Sequence, residues 1–164
     1  MKSFPHDDEL VNSFVAKLNI NPSKNPHRVL KFLLCKIVDL LIEYEFEMFL
    51  DKQRQNETSD KLAYKNGANK KIIHTEIGDI TIDIPRCRSH SFEPMLIDKY
   101  QHFLKLTTEE LLNLLELQNI TYDNVLELLT KVYGESMNLE ELKQFTEYLI
   151  CKLSKIIRSI RLKS

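Results

Sequence analysis

The sequence of 164 residues is poor in residues that interrupt regular structure or cross-link a chain. It has no tryptophan, three glycines, five prolines and three cysteines. So few glycines and prolines predict few turns and long helices. Three well-separated cysteines fit neither a disulfide framework nor a zinc site, and free thiols are typical of a reducing cytosol. The sequence has no apolar run of 18 residues and no secretory signal at its start, so it predicts neither membrane insertion nor secretion.

The charge is small overall but unevenly distributed. The formal net charge is −1 and 43% of the residues are apolar, which predicts a folded domain rather than a disordered chain. Residues 61–105 contain eight Lys or Arg against five Asp or Glu, whereas the regions on both sides are slightly acidic. A basic middle region favours local contact with a polyanion, although the near-neutral total argues against strong sequence-independent affinity for DNA.

Apolar residues recur at helical spacing over most of the chain. The pattern predicts a short helix over residues 10–18 and a long helix from Pro26 to about Gln53, followed by a polar linker. Capping-type residues predict three further helices, which begin near Thr107, Thr121 and Asn138. The last two helices are separated by the short segment 134–137, a spacing typical of a helix-turn-helix.

Residues 70–85 change to the period of two that is typical of strands. Two isoleucine-rich runs flank Gly78-Asp79, which predicts a hairpin with these two residues as its loop. That register places Thr75 opposite Ile82, and His74 opposite Asp83. It also pairs Ile77 with Ile80 and Ile73 with Ile84, and Pro85 would end the second strand. One face should be buried, namely Ile73, Ile77, Ile80, Ile82 and Ile84. The other face should be exposed, namely His74, Glu76, Thr81 and Asp83.

These patterns together predict a mainly α fold. We expect a helical domain with one antiparallel β-hairpin inserted near residues 71–84 and a C-terminal helix-turn-helix-like pair. The chain divides into an N-terminal helical region, a basic hairpin segment and a C-terminal helical region, over residues 1–60, 61–105 and 106–164.

No self-contained active site is recognisable. The five histidines are scattered without a Cys or carboxylate partner at ligand spacing. Cys87 lies between two arginines, but a reactive thiol also needs a base, and none is identifiable. Glu43, Glu45 and Glu47 alternate along a predicted helix, which would spread them around its surface. The sequence therefore predicts no catalytic residue, no metal ligand and no cofactor in this chain.

Cations flank the predicted hairpin on both sides, with a tyrosine and an asparagine nearby. This group consists of Tyr64, Lys65, Asn66, Lys70, Lys71, Arg86 and Arg88. Such side chains can contact the phosphates of DNA, and a solvated basic edge explains the same pattern equally well.

The order of several short motifs resembles the N-terminal region of mutator-type bacterial insertion-sequence transposases. That family reads Asn-Gly, a strand, Val-Gly, a second strand, then Pro-Arg-Asp-Arg and, shortly after, Phe-Glu-Pro. This chain has Asn66-Gly67, Ile77-Gly78, Pro85-Arg86-Cys87-Arg88 and Phe92-Glu93-Pro94 in the same order. The resemblance extends over residues 40–150, through Glu45-Phe46, Lys99-Tyr100-Gln101 and Val132-Tyr133-Gly134.

The resemblance implies that the chain takes part in DNA transposition by recognising the terminal inverted repeats of an element, as a homo-oligomer in the cytoplasm near the nucleoid. Lys143 would then belong to a DNA-binding helix-turn-helix. The family's catalytic domain is ribonuclease-H-like and holds Mg²⁺ with an acidic triad. None of its carboxylates is recognisable here, so the chain resembles a truncated transposase.

A second interpretation is a non-catalytic helical fragment that self-associates and has little affinity for DNA. The chain departs from the family pattern at His102 and Phe103, where two arginines are usual, and acids open its last predicted helix. In this interpretation the wide apolar face of the helix beginning at Pro26 packs against a second copy.

Overall fold

A computed structural model of the protein describes residues 26–56, 64–88, 91–114 and 120–163. The described elements are a long helix, a hairpin and three further helices. They are α1 (Pro26–Asn56), β1 (Lys65–Thr75), β2 (Gly78–Cys87), α2 (Thr108–Asn113), α3 (Tyr122–Tyr133) and α4 (Leu139–Lys163). The predicted mainly α fold with one inserted antiparallel hairpin is confirmed. The helix predicted over residues 10–18 lies outside the described residues.

Helix α1 is the element on which the others pack. It begins at Pro26, whose missing N–H would have no partner at this position, and it ends at Asn56 rather than near Gln53. Its contacts involve β2, α2 and α4. The apolar residues that face these elements are at most 3% exposed, namely Leu30, Leu33, Leu34, Ile37, Val38, Leu41, Ile42, Phe46 and Leu50. The wide apolar face predicted for this helix is therefore covered within the chain.

The hairpin forms in a different register from the predicted one. Thr75 pairs with Gly78, His74 with Asp79 and Ile73 with Ile80, so the turn consists of residues 76–77. The predicted Gly78-Asp79 loop and the four cross-strand pairs that followed from it are wrong. Gly78 has a φ of +108°, a conformation that glycine adopts without strain, and it directly follows the turn instead of forming it. The Thr75 hydroxyl accepts a bond from the Ile77 N–H at 3.3 Å and donates to the Gly78 carbonyl, which fixes this turn.

The hairpin is also longer than predicted, because Pro85 lies inside β2 opposite Ala68. A two-stranded sheet has only edge strands, where proline is tolerated, and the pairing is irregular between Lys65 and Ala68. The predicted faces are nevertheless confirmed. Ile73, Ile77, Ile80 and Ile82 are at most 3% exposed and Ile84 is half-buried, whereas His74, Glu76, Thr81 and Asp83 are exposed.

The C-terminal helices begin at the predicted capping residues. Thr107 accepts from the Glu110 N–H while the Glu110 carboxylate accepts from the Thr107 N–H, which is a capping box. Thr121 caps α3, and Asn138 accepts from the Glu141 N–H at the start of α4. Helices α3 and α4 pack against each other. Their shared core consists of Val125, Leu129, Tyr133, Leu142, Phe145 and Leu149.

Glu45 is buried in the centre of the structure, contrary to the prediction that the three alternating glutamates lie on the surface. Its side chain is 2% exposed because it follows Leu41 and Ile42 by about one helical turn. Oε1 accepts from the Met95 N–H, while Oε2 accepts from the Leu96 N–H at 3.3 Å and from the Tyr133 hydroxyl at 2.8 Å. The carboxylate therefore connects α1, the segment after the hairpin and the end of α3.

Burial raises the pKa of Glu45, even though its three hydrogen bonds oppose that shift. Burial and the neighbouring carboxylate also raise the pKa of Tyr133 well above its ordinary value. The tyrosine therefore remains a hydroxyl that donates to Glu45.

Replacing Glu45 with alanine should lower the free energy of unfolding by about 2–4 kcal/mol, because three donors, two of them buried, lose their acceptor. Urea unfolding of the wild-type chain and of Glu45→Ala measures this difference. Glu47→Ala is the matched control on the exposed side of α1, and it should change stability by less than about 0.5 kcal/mol. Equal stability of the two variants would contradict the central role of Glu45.

The stability contributed by Glu45 should also depend on pH. Its pKa is higher in the folded chain than in the unfolded chain, so the folded state binds the proton more tightly. The part of this contribution that comes from proton binding is complete below the unfolded pKa of about 4.3 and is lost as the pH rises through the folded pKa. The stability of the wild-type chain relative to Glu45→Gln should therefore fall across that window in urea unfolding. A difference that does not change with pH would refute this assignment.

Candidate nucleic-acid interface

Five of the predicted DNA-contacting residues meet at the open end of the hairpin, where β1 begins and β2 ends. We call Tyr64, Lys65, Asn66, Arg86 and Arg88 the open-end cluster. All five side chains are exposed. Lys65 pairs with Cys87 across the two strands, which brings both halves of the cluster together.

An apolar contact beneath the open-end cluster fixes its orientation. Cys87 is buried beside Phe46 and Leu50 of α1, and Phe92 packs against the same group, with its ring 5.0 Å from that of Phe46. Because side chains alternate along a strand, Arg86 points away from α1. Arg88, which directly follows β2, is exposed as well. The two arginines of the cluster therefore face solvent.

Each arginine lies against a residue of the chain that leads into or begins β1. Arg88 donates to the hydroxyl of Tyr64, and this bond raises the pKa of the Arg88 guanidinium. Gly67 has a φ of +75°, and a Cβ placed on it would lie 3.1 Å from Nη2 of Arg86. The glycine after Asn66 thus permits a positive φ and leaves room for a guanidinium across the strands.

Across the part of the chain that the structure describes, no carboxylate pairs with the cations of the open-end cluster. None of the ion pairs described in the structure involves Lys65, Arg86 or Arg88. Guanidinium groups bind phosphate oxygens through paired N–H donors, and an amide such as that of Asn66 supplies a further donor. The arrangement can therefore bind anions. The sugar–phosphate backbone of a nucleic acid presents a row of phosphate anions.

The other three predicted residues lie outside the open-end cluster. Lys70 forms an exposed ion pair with Asp83 at 3.2 Å. Lys71 donates to the carbonyls of Asp98 and Lys99, each at 3.1 Å, so its ammonium group holds the segment after the hairpin. Lys143 is exposed on α4, and the acids Glu140 and Glu141 lie in the first turn of the same helix.

The described side chains do not form a recognisable catalytic centre. Within residues 26–56, 64–88, 91–114 and 120–163, no group of three or more His, Cys, Asp or Glu side chains is arranged to hold a metal ion. Cys87 is buried by aromatic and aliphatic neighbours. The helices in the described ranges include none that is long and apolar enough to cross a membrane.

Sequence reasoning missed two long-range contacts of the structure, and one of them has a signal in the sequence. Glu45 follows the helical spacing of the buried residues of α1, and that spacing is the signal that could have identified it. The contact of Lys71 with residues 98–99 joins segments that are distant in the chain, so no local pattern indicates it.

Known proteins are similar to this chain over most of its length. A model of the family described as "Transposase, Mutator family" matches residues 6–157. Two curated relatives, from Staphylococcus aureus and Enterococcus faecalis, are each described as the transposase for insertion sequence element IS256 in transposon Tn4001. Each is 21% identical over 121 residues, which is 74% of this chain and 31% of the relative. The chain thus spans about a third of the length of these relatives.

Proposed function

Because the chain belongs to the mutator family of transposases, we propose that it takes part in DNA transposition by binding the terminal inverted repeats of its element. The observation that carries this proposal is the open-end cluster, with three exposed cations outside every described ion pair. Within it, Arg88 is bonded to Tyr64 and Arg86 lies against Gly67. Family membership supports a role in transposition, and the cluster supplies a surface of the right charge.

In this proposal the open-end cluster anchors the DNA backbone. Arg86, Arg88 and Lys65 contact phosphates, while Asn66 donates a hydrogen bond and Tyr64 orients Arg88. Because Cys87 is packed on α1 between the arginines, both guanidinium groups extend from a fixed backbone. Such contacts set the position of a protein on DNA and are independent of sequence.

The proposed contacts of Lys70, Lys71 and Lys143 are secondary. Lys70 and Lys71 already have partners, so binding phosphate would require each to exchange an existing contact. Lys143 would bring the α3–α4 pair to the duplex, where reading of the inverted repeat would occur, but the nearby acids weaken attraction to phosphate. We therefore place the main phosphate contacts on the hairpin.

We assign no step of strand transfer to this segment. The family's Mg²⁺ and its acidic triad are assigned to the catalytic domain, and the residues described here hold and position DNA. Action on DNA in a bacterial cell would place the protein in the cytoplasm, associated with the nucleoid.

Self-association is the second proposed property. The apolar face of α1 is covered within the chain and needs no second copy. Among the described side chains of α1 and α4, the large apolar ones that are exposed are Phe32 and Leu139, at 53% and 58%. Single exposed residues of this kind are ordinary on a monomer surface. The covered face of α1 therefore removes one reason for self-association, and we keep DNA binding as the proposed primary role. Sedimentation velocity measures the oligomeric state.

Removing the two arginines should weaken DNA binding and reduce its dependence on salt. For Arg86→Ala/Arg88→Ala, the slope of log affinity against log salt concentration should fall by about one to two units, since each phosphate contact contributes about 0.9. Fluorescence anisotropy with a labelled duplex of the element end measures this slope. The matched control, Lys152→Ala/Lys155→Ala, removes the same charge from exposed positions of α4 and should keep the wild-type slope.

The same titrations separate the alternatives. An unchanged slope in the arginine variant with a reduced slope in the α4 variant would move the phosphate contacts to the C-terminal helices. No measurable binding by the wild-type chain at low salt would favour the self-association hypothesis.

A further inference from the structure

Two histidines that are distant in the sequence lie side by side on the outer edge of the hairpin. The His74 N–H donates to the His102 carbonyl at 2.8 Å, so the segment containing His102 runs along β1. The two imidazole rings have their centroids 5.8 Å apart and are tilted by 47°. Both residues are exposed.

Each imidazole is fixed by a hydrogen bond at Nδ1. Nδ1 of His102 lies 2.8 Å from the carbonyl oxygen of Ile72, which only accepts, so this nitrogen carries the proton. Nδ1 of His74 lies 2.7 Å from the Asp79 carboxylate, which accepts in the same way. In the neutral imidazoles the lone pair is therefore on Nε2, and none of the hydrogen bonds described in the structure uses either Nε2 atom.

This arrangement has the chemistry of a metal-binding pair. Histidines that ligate metals almost always donate their other ring N–H to a carboxylate or a backbone carbonyl, which orients the ring and increases its basicity. Metal–nitrogen bonds of about 2.0–2.1 Å place the centres of two imidazoles about 5–6 Å apart on one ion. The observed separation of 5.8 Å lies within that interval.

We propose that His74 and His102 bind one divalent transition-metal ion of the kind that prefers imidazole, such as Zn²⁺ or Cu²⁺, through their Nε2 atoms. Asp79 acts as a positioning residue that orients His74. Water fills the remaining coordination positions, because both histidines are exposed. The ion would join the segment at His102 to β1 and so stabilise that edge of the hairpin.

Calorimetric titration of the full chain with ZnCl₂ and with CuCl₂, in a buffer that does not chelate metals, tests the site. We expect one ion per chain, with Cu²⁺ bound more tightly than Zn²⁺. His74→Gln and His102→Gln should each weaken binding at least tenfold, and Asp79→Asn by about tenfold, the loss typical of an outer-shell partner. His27→Gln, on α1, is the matched control and should leave the affinity within twofold.

Paramagnetic broadening by Cu²⁺ in the NMR spectrum of the ¹⁵N-labelled wild-type chain locates the ion without any substitution. The amide signals of residues 73–75, 79 and 101–103 should broaden first. Broadening centred on other residues would overturn the proposal, and so would wild-type affinity in both histidine variants. Binding of neither metal by the wild-type chain would also overturn it.

Discussion

A carboxylate taken out of water needs hydrogen-bond donors, and Glu45 finds three of them in two other segments of the chain. The N–H groups of Met95 and Leu96 come from the stretch that follows the hairpin, and the hydroxyl of Tyr133 comes from the end of α3. Without this acceptor, all three donors would lie unpaired next to the apolar core. This carboxylate therefore helps to fix the C-terminal helices relative to α1 and the hairpin segment, together with the apolar core that they share. Tyr133 in turn packs against Phe145, which stacks on Tyr44 of α1.

The hairpin carries three kinds of surface, and the packing on α1 separates them. Its isoleucine face is buried, its open end presents the cations proposed to bind phosphate, and its outer edge carries the paired histidines. A two-stranded hairpin alone is marginally stable in water. Burial of the isoleucines, and of Cys87 at the open end, provides the stability that holds exposed charged groups in fixed positions.

Much of the fold follows from local patterns. The period of two identified the isoleucine face, and the caps at Thr107, Thr121 and Asn138 identified the starts of three helices. The register of the hairpin was predicted incorrectly because glycine can occupy a turn or follow it, and only the pairing of the complete strands decides between these. Five residues of the proposed DNA site meet at the open end. Lys71 does not, because its ammonium group binds backbone carbonyls of a later segment.

The sequence by itself determined the described helices, the hairpin and the apolar face of each, because periodicity and capping act over a few residues. The tertiary structure decided which polar side chains are buried and which distant residues meet. Glu45 and Tyr133 are 88 positions apart, and His102 lies 30 positions after the Ile72 carbonyl that fixes its ring. Contacts at such separations depend on how whole elements pack, and burial strengthens the bond of Glu45 to Tyr133 by removing the competing water.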